Sequence, residues 1–420
     1  MLSNKNILSK PILLCLLIVW LGIAIFWRPT HHYLTIMEGI QWITLVTKSL
    51  LIFLIAAISS LVFCYLLIKT NHIHGKFSND HVGSGPQKTH NQATPRIGGL
   101  AILAGLFTAL YAETLLMPDS PILDDDLLIF AAIPAFMGGL IEDVTKNVGT
   151  AQRLLLSMIS AAIVIWLFGS VISRTDIPIL DYALGWLPFA ALFTVFAVSG
   201  VSNAINIIDG YHGLASGFSL IALIAIAIVA SLVNDQPVFI ISLSVAGATL
   251  GFFVWNWPKG KIFLGDSGAY LLGFMLAELS VLLVYRNPSV SPWFPLLLLA
   301  YPIFETLSSI YRRKFIFKSG CDQPDALHLH HLISNKLVCN DIKMDDNSAQ
   351  SAFCTRNNSR VAPYIWATAI LSAIFAILFW DNTSVLMLAT LAGCLIYNYI
   401  YKQLTKFQLL GLIRFVKRKL

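Results

Sequence analysis

The sequence predicts an all-α, polytopic integral membrane protein with about eleven to twelve transmembrane helices, and three observations predict it. Of 420 residues, 12% are charged and 57% are apolar, against about 25% charged in an ordinary soluble domain. The mean hydropathy is +0.74, more apolar surface than a soluble chain of this length can bury. Uncharged runs long enough to cross roughly 30 Å of hydrocarbon recur along the chain. A soluble enzyme, a disordered protein and a secreted disulfide scaffold are thereby excluded.

Taken in order, spans are expected near 11–27, 49–68, 97–117, 127–141, 154–173, 187–207, 213–233, 237–256, 267–285, 292–311, 362–380 and 384–401. The first follows Lys5 and Lys10 and has no small-residue cleavage site after Phe26-Trp27, so it reads as a retained anchor. The run at 127–141 is short for a span. Residues 1–420 form a single membrane domain, with a long cytoplasmic loop at 312–361 and C-terminal spans and a basic tail at 362–420. The loop from Lys314 to Arg360, Asn-, Asp- and Ser-rich in its second half, is the segment expected to be mobile.

Orientation follows from the basic residues, because Lys and Arg near span ends are retained in the cytoplasm. The segments 1–10, 69–96, 142–153, 257–266, 312–361 and 402–420 carry 24 of the 28 basic residues; the opposite side keeps Arg28, Lys48, Arg174 and Arg286. Both termini are therefore expected in the cytoplasm. The net charge of +6 describes membrane topology and an attraction for anionic head groups, not nucleic-acid binding. Cys15, Cys64 and Cys394 fall in spans and Cys321, Cys339 and Cys354 in the long loop, with no C-x-x-C, so free thiols are expected.

Five polar clusters interrupt the apolar text, all on the cytoplasmic side. Lys88-Thr-His90 and Thr94-Pro95-Arg96-Ile-Gly98-Gly99 lead into the third span; they read as ligand contacts or as helix-start and close-packing chemistry. Glu142 and Asp143 end a span as adjacent acids, which either share a cation or proton or sit at a solvated helix end. Asn203, Asn206 and Asp209, three residues apart, share one helix face ahead of Gly210 and Gly213. Such a face suits a nucleotide, or interhelical hydrogen bonds. Asp266, within Gly265-Asp266-Ser267-Gly268, opens the next span as a lone carboxylate suited to Mg²⁺, or as a simple helix cap. His328, His330 and His331 offer imidazoles to phosphate oxygens or form an exposed turn, and the preceding Arg312-Arg313-Lys314 run reads as topogenic.

Together the clusters make a polar, cytoplasmic-facing site of carboxylates, carboxamides, cations and imidazoles where spans meet water. Phosphoryl transfer needs such positioning and charge neutralisation rather than a protein nucleophile. The strings TPRIGGLAI, GLIEDVTKN, SNAINIIDGYHGLASG, FLGDSGAYLLG and ALHLHHLI, in this order, resemble the polyprenyl-phosphate N-acetylhexosamine-1-phosphate transferases, the family of the MraY and WecA types. The resemblance covers a catalytic core at roughly residues 50–335. It implies transfer of a sugar 1-phosphate from a UDP-N-acetylhexosamine to undecaprenyl phosphate, releasing UMP, with Mg²⁺ (or Mn²⁺ in its place). The setting implied is a bacterial cytoplasmic (inner) membrane, at the initiating step of a cell-surface glycan such as O-antigen or capsule.

The same resemblance makes Asp266 the leading metal ligand, with Asp209 beside it, and gives the nucleotide end to Asn203, Asn206 and Asp209. His328, His330 and His331 match the histidine motif near the diphosphate, Lys88 and His90 match basic contacts, and Asp143, with Glu142, matches the paired acids that handle the lipid phosphate. Glu142 and His212 depart from the family's usual aspartates, which points to the WecA side and away from UDP-MurNAc-pentapeptide. A transporter or flippase of lipid-linked sugars is the alternative; it would use ionisable groups deep in the membrane, and Glu113, Glu278 and Glu305 lie scattered singly. Glycine-rich spans permit a homodimer without requiring one.

Overall fold

A computed structural model describes residues 36–80, 94–118, 123–317, 327–338 and 357–419. The chain runs through α1 (Ile36–Lys69), the short α2 (Asn71–Ser78) and a two-residue antiparallel pairing of β1 (Asn79–Asp80) with β2 (Thr94–Pro95). Then come α3 (Gly98–Leu116), α4 (Leu123–Ala131), α5 (Ile133–Thr145), α6 (Thr150–Phe168), α7 (Pro178–Leu184) and α8 (Leu187–Ile208). The second half holds α9 (Leu214–Leu232), α10 (Gln236–Asn256), α11 (Gly265–Arg286), α12 (Trp293–Leu298) and α13 (Ala300–Tyr311). It closes with α14 (Leu329–Ile333), α15 (Ala362–Leu378) and α16 (Thr383–Lys419).

Nine of the described helical segments are long and apolar enough to cross a membrane. The expected span at 11–27 lies outside the described residues. Two further expected spans are each built from two helices. At 127–141 the helix breaks at Ala132, two residues before Pro134, and at 292–311 it breaks at Leu299, three before Pro302. Proline cannot donate to the carbonyl four residues back and its ring crowds that carbonyl, so an unbroken helix would be strained at both places.

The layering follows side-chain character. Apolar residues surround α11 on every face, and it is buried over nearly its whole length between α3, α5, α8, α9 and α10. A helix apolar all round belongs inside a bundle. On the rim, α1, α6, α8 and α16 turn Leu54, Ile58, Trp166, Phe196 and Leu395 outward, as lipid-facing helices should.

Within the expected long loop, the described part is structured. Residues 312–317 continue α13 as a π-helix, and 327–338 fold back as α14 and a further π-turn. His328, His330 and His331 are buried there, which sets aside the exposed turn that was the alternative reading for them. Of the cysteines, Cys64 and Cys394 are free; the others lie outside the described residues.

Candidate functional site

The site is assembled around the first turn of α11. Gly265 carries φ +73°, a left-handed backbone that L side chains rarely adopt, and it turns the chain sharply into the helix. Backbone pairing fixes the approach: Phe263 N–H donates to the Pro95 carbonyl at 2.8 Å, Gly98 N–H to Phe263 at 2.9 Å and Gly99 N–H to Leu264 at 3.0 Å. The segment after β2 and the loop before α11 are thus held edge to edge. Gly139 on α5 faces the Asp266 carbonyl and the Ser267 amide so closely that no Cβ fits between the backbones.

Asp143, at the end of α5, is fully buried and reaches across this junction. Its carboxylate accepts from the amides of Asp266 and Ser267, both at 2.9 Å, and from Ser267 Oγ at 2.7 Å. A carboxylate on free amides at a helix N-terminus satisfies orphan donors and complements the dipole. Burial nevertheless raises the Asp143 carboxyl to about 6, opposed by Arg96, the two Ser267 hydrogen bonds and Lys146. Glu142 points elsewhere and accepts from the Val148 amide at 2.7 Å. Successive helix residues diverge by about 100°, so the adjacent acids serve different neighbours.

Asp266, 4% exposed, is the hub. It accepts from Arg96 Nη2 at 2.6 Å and from Asn206 Nδ2 at 2.9 Å, and it pairs with Arg153 from the first turn of α6. Arg96 also stands 3.4 Å from Asp143. Asn206 comes from the last turn of α8, and the helix ends at Asp209, whose amide donates to the Asn206 carbonyl at 3.2 Å. Burial pushes the Asp209 carboxyl up to about 7, opposed by Arg96 and reinforced by Asp143. Asn203, one turn earlier, accepts from Tyr270 Oη at 3.0 Å.

The histidines close the opposite wall. Gly210 faces His330 Nε2 across a gap that a Cβ would fill at 3.4 Å. His330 Nδ1 lies 3.0 Å from Tyr301 Oη, His331 Nδ1 3.0 Å from Tyr211 Oη, and His328 Nδ1 donates to Glu305 Oε1 at 2.9 Å. The His330 Nε2 atom is buried without a hydrogen-bond partner. Burial, reinforced by the charges of His331, His328 and Arg312, holds the His330 imidazole well below its ordinary range. His212 packs beside Phe263, with ring centroids 5.5 Å apart and the planes tilted by 31°, and its amide donates to Asn358 Oδ1 at 2.8 Å.

Asp143, Asp209, Asp266 and His330 therefore meet at one end of the bundle, joined by Asn206 and by the Asp209-Gly210 turn. Lys88 and His90 lie outside the described residues. Sequence reasoning missed Arg153 and treated Arg312 as topogenic, yet Arg153 sits on Asp266 and the buried Arg312 stands 3.6 Å from Glu305. It also scattered Glu305 among the lone membrane acids. The seven-residue spacing from Glu305 to Arg312, two turns on one face, was the available signal.

Among the described residues no three His, Cys, Asp or Glu side chains form a ready-made metal cage. The donor chemistry still fits a magnesium ion that arrives with a diphosphate. Asp266 and Asp209 are hard oxygen donors, and Mg²⁺ commonly takes one or two carboxylates and completes its shell with phosphate oxygens and water.

The glycosyl transferase family 4 profile matches residues 127–284. The chain is 34% identical over 253 residues to a probable undecaprenyl-phosphate N-acetylglucosaminyl 1-phosphate transferase of Bacillus subtilis, covering 58% of this chain and 67% of that one. Over 251 residues it is 30% identical to an undecaprenyl-phosphate alpha-N-acetylglucosaminyl 1-phosphate transferase of Thermotoga maritima, covering 60% and 72%. A phospho-N-acetylmuramoyl-pentapeptide-transferase of Lactococcus lactis is 33% identical over 242 residues, covering 56% and 71%.

Proposed function

The chain belongs to the polyprenyl-phosphate N-acetylhexosamine-1-phosphate transferases, and from that premise we propose that it moves N-acetylhexosamine 1-phosphate from a UDP-sugar onto undecaprenyl phosphate. An oxygen of the lipid phosphate attacks the β-phosphorus of the UDP-sugar. The bond from that phosphorus to the bridging oxygen breaks, and its electron pair leaves with UMP. The products are undecaprenyl diphosphate sugar and UMP, the first step of a surface glycan at the cytoplasmic membrane.

The observation that carries this reading is the hub at Asp266, where two guanidinium groups and a carboxamide meet one buried carboxylate. Planar guanidinium forks match phosphate oxygens, so Arg96 and Arg153 suit the diphosphate. Asn203, Asn206 and Asp209 take the nucleotide end, and His328, His330 and His331 face the phosphates from the other wall. Asp143 acts through the amides it holds, fixing Asp266 at the start of α11. Asp266, with Asp209, would hold Mg²⁺, which supplies charge neutralisation on the transferring phosphoryl group. Lys88 and His90 are assigned to the phosphates on the resemblance.

The donor in this reading is UDP-N-acetylglucosamine or a close N-acetylated relative, not UDP-MurNAc-pentapeptide; support comes from the names of the first two relatives and from the histidine at 212. The test uses the purified chain in nanodiscs with undecaprenyl phosphate, Mg²⁺ and a panel of UDP-sugars. UMP release with a matching lipid product by mass supports the reading. Intact UDP-sugar, with movement of lipid-linked sugar across the wall of sealed vesicles holding the same chain, would favour a transporter.

A further inference from the structure

All three histidines of the cluster are anchored in the same way. Each Nδ1 is met by a side chain from another element: Glu305 for His328, Tyr301 for His330 and Tyr211 for His331. The rings are mutually packed, with His328 and His330 stacked at 5.3 Å and 7°. Glu305 differs from the two tyrosines because it is itself held on several sides. It is fully buried, and Oε2 accepts from Tyr397 Oη at 2.8 Å and from the Leu329 amide at 3.1 Å, while Arg312 stands 3.6 Å from Oε1. Tyr397 belongs to α16, well beyond the region matched by the family profile. Arg312 in turn lies 5.0 Å over the Tyr401 ring, one turn further along α16.

We propose that Glu305, locked by Tyr397 of the C-terminal helix, is a positioning residue for the histidine cluster: it fixes the proton of His328 on Nδ1 and aims the ring, so that Nε2 is presented to the site. The inference rests on the proposed phosphosugar transfer only for its kinetic readout. A ring nitrogen facing a carboxylate must carry the proton, and that sets the role of the other nitrogen. The comparable carboxylate partners of metal-bound histidines are worth about 10- to 100-fold in affinity or activity. α16 therefore contributes to the site without touching substrate, through a relay of two hydrogen bonds from Tyr397 to Glu305 to His328.

The test uses the full chain in nanodiscs. Glu305→Gln, which keeps the shape, is expected to lower kcat about tenfold, and Tyr397→Phe about threefold, with KM for the UDP-sugar changed by less than about twofold. On a His328→Asn background neither change should lower kcat further, because both act through His328. A merely structural role would instead reduce the folded fraction and add its loss on either background. Unchanged kcat in Glu305→Gln, or an additive loss with His328→Asn, overturns the proposal. A second readout does not need turnover: ¹⁵N spectra of histidine-labelled protein should show the His328 proton on Nδ1 and a redistribution in Glu305→Gln. A proton on Nε2 alone, unaltered in the variant, refutes the anchor even if the chain releases no UMP, an outcome that would separately refute the proposed reaction.

Discussion

Replacing Gly139 by alanine tests whether the α5–α11 junction sets the site. The added Cβ would stand closer than 3.0 Å to the carbonyl of Asp266 and the amide nitrogen of Ser267, whereas ordinary contact begins at 3.4 Å. The obstructing atoms are backbone, so no rotamer relieves them and the two elements must separate by about 0.6 Å to leave the forbidden range and about 1 Å to reach ordinary contact. Overpacking of this kind costs about 1–3 kcal/mol. The separation lengthens the two 2.9 Å bonds from the Asp266 and Ser267 amides to Asp143 and shifts the Asp266 carboxylate. Since a misplacement of about 1 Å costs about 100-fold, a shift of this size should lower UMP release by about tenfold to 100-fold. Turnover per folded molecule is read in nanodiscs against Gly200→Ala, where nothing lies within 4 Å of the new Cβ and activity should be retained. Full activity in Gly139→Ala at normal folded yield would refute the reasoning.

Other consequences are equally checkable. Asp266→Asn keeps the shape but removes the charge that gathers Arg96, Arg153 and Asn206, so UMP release should fall by about 100-fold or more while membrane insertion is unchanged. Arg153→Lys retains the charge but loses the planar fork, and should lower turnover about tenfold, read as kcat against protein amount. Chelation with EDTA should abolish turnover, Mg²⁺ should restore it and Mn²⁺ should substitute; undiminished activity after exhaustive chelation would remove the metal from the account. In a cysteine-free background, Tyr182→Cys, on the exposed face of α7, should react with an impermeant thiol reagent from outside intact cells, and Lys261→Cys only after permeabilisation.

The spans were legible because a bilayer imposes a length on apolar runs, and α1, α3, α6 and α8 to α11 fall where those runs lie. The paired breaks were not, although Pro134 and Pro302 mark them in retrospect, because a run of apolar letters does not register a missing hydrogen-bond donor. Within the site, Asn203, Asn206 and Asp209 could be grouped from their spacing on one helix. The contact of Asp143 with the α11 amides could not, since 123 residues separate the partners and only a tertiary fold brings them together. Arg153 was hidden for a different reason. A basic residue at a cytoplasmic span end already has a topological explanation, and sequence offers no sign that its guanidinium turns inward to a carboxylate. Glu305 was obscured in the same manner, because a buried acid in a span resembles a transport group until its histidine, tyrosine and arginine partners are seen together.

The most direct test of the central claim follows the phosphorus. Purified chain in nanodiscs is given undecaprenyl phosphate, Mg²⁺ and UDP-N-acetylglucosamine carrying ³²P in the β-phosphate. Transfer of the sugar together with its phosphate predicts label in the lipid product and unlabelled UMP in solution. Label recovered as UDP, or left in intact UDP-sugar, would contradict it.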